Sequence, residues 1–166
     1  MLFRDRDQAG EILADALLNL RAERPVVLGV SAGGVVVARH VADRLSAPLG
    51  RVVAGTIEAD VSLTVSGRTV LLVDDAIVTG ATMSGALDVV AAAGAARIFI
   101  AVPLAPPRIQ FGKRVADLYA TARPAPLSNV RRWYTELPEV SEDEVRAALL
   151  RNESGQDWTY AGATSL

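Results

Sequence analysis

The sequence predicts an α/β fold, a doubly wound and mostly parallel sheet flanked by helices, and three observations carry that prediction. The run VLLV at 70–73 is apolar throughout rather than alternating, the pattern of a strand covered on both faces. VVLGV at 26–30 and the stretch 97–103 share this apolar strand character, and helical spacing falls between the runs. Such alternation of strand and helix makes neighbouring strands parallel, with right-handed crossovers. At 166 residues and 51% hydrophobic content the chain suits one domain with an ample core. That domain is placed at 1–151, and a polar, small-residue tail at 152–166 is expected to be poorly ordered despite Trp158 and Tyr160.

From the N-terminus, Asp5 followed by Gln8 has the spacing of a capping box, and Ile12, Leu13, Ala16, Leu17 and Leu20 repeat at helical intervals. Pro25 closes the next turn and VVLGV follows as a strand. Ser31, Ala32, Gly33 and Gly34 then form a small-residue turn into a helix. Its backbone N–H groups could receive an anion; alternatively, the two glycines serve only to let helix and strand pack closely. His40, the only histidine, has no visible partner and reads as a surface or packing residue of that helix, not as a catalytic base. Residues 51–57 read as the next strand, 58–60 as a turn, and VSLTV at 61–65 alternates like a half-buried strand before Ser66 and Gly67 turn the chain again. This makes a hairpin ahead of the central strand.

The centre of the chain is VLLVDDAIVTGAT at 70–82. Asp74 and Asp75 fall at the carboxyl end of the strand, the edge at which open α/β sheets bind ligands. The loop Ala76, Ile77, Val78, Thr79, Gly80, Ala81 and Thr82 leads into a helical pattern through Met83, Leu87, Val90 and Ala91. Helix N-termini expose unpaired N–H groups and the positive end of the dipole, and the hydroxyls of Thr79 and Thr82 add donors, so the loop reads as a phosphate cradle. Carboxylates beside it suit vicinal hydroxyls and a hard cation such as Mg²⁺. Two plainer readings stand beside this one. LLVDD also opens phosphate-receiver domains, but there it follows the first strand, and here no later strand ends in an acceptor aspartate. Asp and Thr are also common at strand ends and helix caps of no function.

Further on, Gly94 ends the helix, 97–107 gives a strand and a proline-rich turn, 112–114 ends a short helical segment, and 116–124 is a further strand. Ser141 with Glu144 forms another capping box, before an apolar stripe of Val145, Ala148 and Leu149. Trp133 and Tyr134 follow two arginines just ahead of this helix; as large aromatics they suit packing the helix down.

Net charge of −2 leaves no general electrostatic footprint for nucleic acid or an anionic membrane. The absence of cysteine excludes disulfides and thiol chemistry in this chain. Charges occupy the N-terminus where a signal peptide needs an apolar core, and the apolar stretch 87–107 is broken by Asp88, Gly94, Arg97 and Pro103. A soluble, cytoplasmic protein is expected.

Residues 70–82 resemble the phosphoribosyl pyrophosphate (PRPP) motif of type I phosphoribosyltransferases: a hydrophobic strand, two acids, and a loop ending in Thr-Gly-x-Thr, with Ala76 where many members carry glycine or another small residue. The resemblance implies that Asp74 and Asp75 hold the ribose hydroxyls, with Mg²⁺ bound directly or through ligand and water. It implies that residues 76–82 hold the 5′-phosphate and that the Ser31 to Gly34 turn meets pyrophosphate. It also implies an aromatic for stacking on a base, for which Trp133 and Tyr134 are the candidates. Small bacterial relatives share a Trp-Tyr pair ahead of a final helix, which extends the resemblance over about residues 2–151. They carry Pro-Arg-Gly-Gly at the pyrophosphate turn, however, where this chain has Ser31 and Ala32, and the family's long covering loop is replaced by the short hairpin before residue 70. The implied function is transfer of phosphoribosyl to a base or other nucleophile, in a homo-oligomer with a small-molecule ligand and no nucleic acid. The alternative is a catalytically weak PRPP- or nucleotide-binding regulator.

Overall fold

A computed structural model describes residues 2–60 and 62–150. In chain order they form α1 (Arg6–Ala16), β1 (Val26–Val30), α2 (Ser31–Leu45), β2 (Leu49–Val53), β3 (Thr56–Glu58), β4 (Thr69–Val73), α3 (Ala81–Ala92), β5 (Arg97–Leu104), β6 (Asp117–Ala122) and α4 (Glu142–Leu150). Short 3₁₀ turns occupy Leu18–Glu23, Gly112–Arg114 and Val130–Trp133. The six strands make one sheet in the order β3-β2-β1-β4-β5-β6, parallel except where β3 runs against β2. This is the doubly wound sheet expected from the sequence. From β1 the chain steps to β2 on one side and later returns to place β4 on the other, so the winding reverses between β1 and β4. Such a switch point opens a crevice at the carboxyl ends of the two strands.

Side-chain alternation along the strands builds two cores. Val27, Leu71, Val73, Phe99 and Ala101 face Leu13, Val37, Val41 and Val145 of α1, α2 and α4. Val26, Leu28, Val70, Leu72, Ile98 and Ile100 face Met83, Leu87 and Val90 of α3. The apolar runs were continuous because both sheet faces are covered. The N-cap half of both capping boxes forms: Asp5 Oδ1 accepts from the Gln8 N–H at 2.8 Å and Ser141 Oγ from the Glu144 N–H at 3.1 Å. α1 is shorter than its apolar spacing suggested. It stops at Ala16, Leu17 is buried at the junction and Leu20 from the 3₁₀ turn that follows, and Ile12 is left exposed.

The hairpin lies elsewhere than expected. Residues 51–57 do not run on as one strand; the chain reverses at Ala54 and Gly55, both at positive φ (49° and 77°), and Val52 pairs with Ile57 across the turn. A two-residue loop with positive φ at both positions matches strand twist, which closes the hairpin early. The ladder that VSLTV was to join is therefore filled by β3. Residues 62–65 form no strand, although Val65 is buried in the second core, and Val61 lies outside the described residues. The tail 152–166 also lies outside them. No described helix is long and apolar enough to cross a membrane.

Candidate active site at the β1–β4 switch point

β1 and β4 pair in register, with Gly29 opposite Val73, so the residues that leave the two strands emerge side by side. On one of them α2 begins at once, and its first residue, Ser31, donates from Oγ to Asp74 Oδ1 at 2.7 Å. The same hydroxyl accepts from the Gly34 N–H at 3.1 Å, and the Asp75 N–H donates to Asp74 Oδ1 at 2.9 Å. Among the described residues Asp74 is the buried charged side chain, 5% exposed. Burial, then the nearby charge of Asp75, holds its carboxyl well above the usual aspartate range against the opposing pull of the Ser31 hydroxyl. A carboxyl so enclosed organises the site from below.

Asp75 is the accessible member of the pair. Its Oδ2 receives Arg6 Nε at 2.9 Å, with side-chain exposures of 20% for Asp75 and 13% for Arg6. Adjacent residues of a strand face opposite ways, yet both carboxylates reach the start of α2, because β4 ends at Val73 and the chain turns there. Gly33 and Gly34 permit that approach. A Cβ at Gly33 would fall on Asp75 Oδ2 and 2.6 Å from Arg6 Nε, and one at Gly34 would fall 2.8 Å from Asp74 Oδ1. The close-packing reading of the two glycines is thus realised, with the acids as the packed partner. Among the described residues the N–H groups of Ala32 and Gly33 meet no acceptor, which leaves α2 with donors at the crevice.

Opposite stands the loop from Ala76 to Thr82. The Ile77 side chain is buried and its N–H bonds the Leu104 carbonyl at 2.9 Å, which fixes the loop to the end of β5. Val78 and Thr79 are exposed. Gly80 caps α3 at φ 90°, a left-handed conformation that glycine adopts without strain, and it offers no side chain to the helix. Thr79 Oγ1 accepts from the Ala81 N–H at 3.3 Å, and the first intrahelical bond runs from the Ser84 N–H to the Gly80 carbonyl at 2.8 Å. The N–H groups of Thr82 and Met83 have no acceptor among the described residues, and Ala81 and Thr82 are exposed. Two helix N-termini therefore flank one acid pair.

Tyr134 departs from its expected roles. Its ring is 2% exposed, tilted 5.4 Å from that of Phe3, and its hydroxyl donates to the Asp75 carbonyl at 3.0 Å. Burial, then Asp75, raises the phenol above its ordinary range. A ring enclosed in this way has no free face for a base. Trp133 is half-buried beside it, and the pair does not pack α4, whose apolar residues lie in another cluster. It packs the N-terminus: the Leu2 and Phe3 N–H groups donate to the Trp133 carbonyl at 3.0 Å, and the Thr135 N–H to the Phe3 carbonyl at 2.9 Å. That strap sets the start of α1 over the site. His40, for which no partner was visible, lies 2.7 Å from Asp7 Oδ1 across the α1–α2 contact, away from the acids.

Sequence reasoning missed Arg6, Ile109 and Phe111. Ile109 and Phe111 follow β5 and close against Gly80, where a Cβ would meet them at 3.1 and 3.4 Å. Arg6 had one local signal. A cation in the first turn of a helix opposes the macrodipole and calls for an acid elsewhere.

Comparison with known proteins bears on the family and the fold. The phosphoribosyl transferase domain profile matches residues 6–117. Two Mycobacterium tuberculosis proteins, from strains CDC 1551 and H37Rv, carry the provisional name phosphoribosyl transferase and are each 30% identical over 98% of this chain. The chain spans about half, 49%, of their length. The crystal structure of TT1426 from Thermus thermophilus superposes with a TM-score of 0.80 at 33% identity, covering 90% of this chain and 98% of that one. The purine phosphoribosyltransferase from Pyrococcus horikoshii shares the fold, with a TM-score of 0.51 at 22% identity over 74% of this chain and 92% of its own. With its profile matched from the start of α1 to the start of β6, the acid pair included, the chain belongs to the phosphoribosyl transferase domain family.

Proposed function

We propose that the crevice binds PRPP or a nucleoside 5′-monophosphate and that the protein transfers phosphoribosyl to a base or other nucleophile. The observation that supports this most is the placing of two open helix starts, α2 and α3, on either side of Asp74 and Asp75. In this reading the N–H groups and hydroxyls at Thr79 to Thr82 hold the 5′-phosphate, Asp75 accepts from ribose hydroxyls, and the Ser31 to Gly34 turn holds the diphosphate. Asp74 positions Ser31 and the Asp75 backbone. The bond from the anomeric carbon to the diphosphate oxygen breaks with its electron pair leaving on pyrophosphate, the acceptor's lone pair forms the new bond, and the acceptor's proton passes to solvent. The protein's contribution is orientation and stabilisation of the departing charge.

Mg²⁺ fits such a site as a passenger of the ligand. Among the described residues no group of three potential metal-binding side chains exists, and two carboxylates, one of them enclosed, suit a cation held mainly by diphosphate oxygens. Bound there, it would neutralise diphosphate charge.

The test is pyrophosphate release from PRPP with purine, pyrimidine and amine acceptors. Turnover on the order of 1 s⁻¹ with one of them is the expected result. The uncharged Ser31 to Gly34 turn and the short connection, residues 59–68, between β3 and β4 favour a second reading, a nucleotide-binding regulator. Calorimetric binding of PRPP without turnover would select it, and absence of binding to PRPP and nucleotides would remove both.

A further inference from the structure

Arg6 stands at the first position of α1, but its guanidinium serves the first turn of α2. Nε donates to Asp75 Oδ2 at 2.9 Å, NH1 donates to the Pro138 carbonyl, and Nε would lie 2.6 Å from a Cβ on Gly33. The strap from Trp133 to Glu136 fixes this arrangement by its backbone bonds to Leu2, Phe3 and Arg4. Among the described residues the bonds of Arg6 use Nε and NH1, so NH2 keeps donors with no protein acceptor. The turn beneath, Ser31 to Gly34, contains no charged side chain.

We propose that Arg6 is the cation of the diphosphate turn, held on Asp75 in the free protein and bonded to diphosphate oxygens as well when ligand is present. The inference rests on the PRPP reading above and adds to it a residue outside the motif. A diphosphate docking on the open N–H groups of Ala32 and Gly33 would come close to the Asp75 carboxylate, and that approach is repulsive unless a cation lies between them. The guanidinium already occupies that place. Its fork can bridge a carboxylate and a phosphate oxygen at once, which a single ammonium does less well. Gly33 admits it to the backbone, since any side chain there would displace Nε.

The experiment titrates inorganic pyrophosphate with Mg²⁺, PRPP with Mg²⁺, and AMP into wild type, Arg6→Gln and Arg6→Lys by calorimetry, with thermal melting of each variant alongside. The expected result is a roughly 10- to 100-fold loss of pyrophosphate and PRPP affinity in Arg6→Gln, as for a lost charged hydrogen bond, with AMP affinity held within about threefold. Arg6→Lys should lose less. Unchanged pyrophosphate affinity in Arg6→Gln would overturn the proposal, as would equal loss of pyrophosphate and AMP, the mark of a residue that merely anchors α1. Pyrophosphate binding that depends on Arg6 without any PRPP binding would keep Arg6 and reject the phosphoribosyl reading. PRPP binding indifferent to Arg6 would do the reverse, and a wild type that binds none of the three ligands would reject both.

Discussion

The Ser31 hydroxyl donates to Asp74 Oδ1 at 2.7 Å, so the buried carboxyl just past the central strand and the first residue of the neighbouring helix act as one unit. Ser31 holds this position at φ 72°, an uncommon conformation for a residue with a side chain. The side chain's hydrogen bonds therefore offset backbone strain. Ser31→Ala keeps the strain and leaves Asp74 without its hydroxyl partner, and should lower stability by about 1–3 kcal/mol. Ser31→Gly loses the same bonds but relaxes the backbone, and should be the less damaging by roughly 0.5–1 kcal/mol. Urea unfolding of both variants checks the order; an alanine variant as stable as wild type would mean that the hydroxyl contributes nothing.

Asp74 makes stability depend on pH. Its folded pKa lies above the ordinary value of 3.8, so between those two values the folded protein keeps a proton that the unfolded chain has released. Stability then falls as pH rises through that window, by up to about 1.4 kcal/mol per pH unit, and levels off above the folded value. Asp74→Asn keeps an acceptor for Ser31 and cannot ionise. Denaturation midpoints measured from pH 4 to 8 should fall less steeply in this variant than in wild type; parallel curves would show that the buried carboxyl is not the source. The same substitution should reduce PRPP affinity while sparing inorganic phosphate, because it disturbs the neighbourhood of Asp75 and not the cradle.

The Thr79 hydroxyl uses its oxygen to accept from the Ala81 N–H, which leaves its hydrogen free for a ligand. Thr79→Ala should weaken 5′-phosphate ligands by roughly 1–3 kcal/mol, and Thr79→Ser should retain most of the affinity. Calorimetry with AMP separates these outcomes. Equal affinity in all three proteins would take Thr79 out of the site.

What was legible in the sequence was local. β1, the central strand with its acids, the turn into α3 and both capping boxes depend on residues within a few positions of one another, and their chemistry could be read directly. The hairpin was misplaced because Ala54 gives little sign of a left-handed conformation, while the alternation of VSLTV recorded the inward packing of Leu63 and Val65 without a strand. The upper half of the site was hidden for another reason. Arg6 meets Asp75 across 69 positions and Tyr134 meets it across 59, through a strap whose backbone bonds have no side-chain signature. The aromatic pair suited packing the last helix, or by resemblance a surface for bases, but Tyr134 carries its hydroxyl inward to the Asp75 carbonyl.

Two glycines of the same chain should respond in opposite ways to one added methyl group. At Gly33 the new Cβ would collide with Asp75 Oδ2 and Arg6 Nε, both of them held by further bonds: the Asp75 backbone by Tyr134, and Arg6 by the Pro138 carbonyl. Neither can retreat without breaking a contact, so Gly33→Ala should cost about 1–3 kcal/mol, the usual range for overpacking. It should also weaken pyrophosphate and PRPP more than AMP, since the α3 cradle is untouched. At Gly85, an exposed residue inside α3, a Cβ would meet nothing within 4 Å. There alanine removes only the entropic weakness of glycine in a helix, and Gly85→Ala should raise stability by roughly 0.5–1 kcal/mol with unchanged ligand affinity. Thermal and urea unfolding of the two variants, paired with calorimetry, tests the assignment. If Gly33→Ala were as stable as Gly85→Ala and bound pyrophosphate like wild type, the tight contact of α2 with the Arg6–Asp75 pair could not be what shapes this turn.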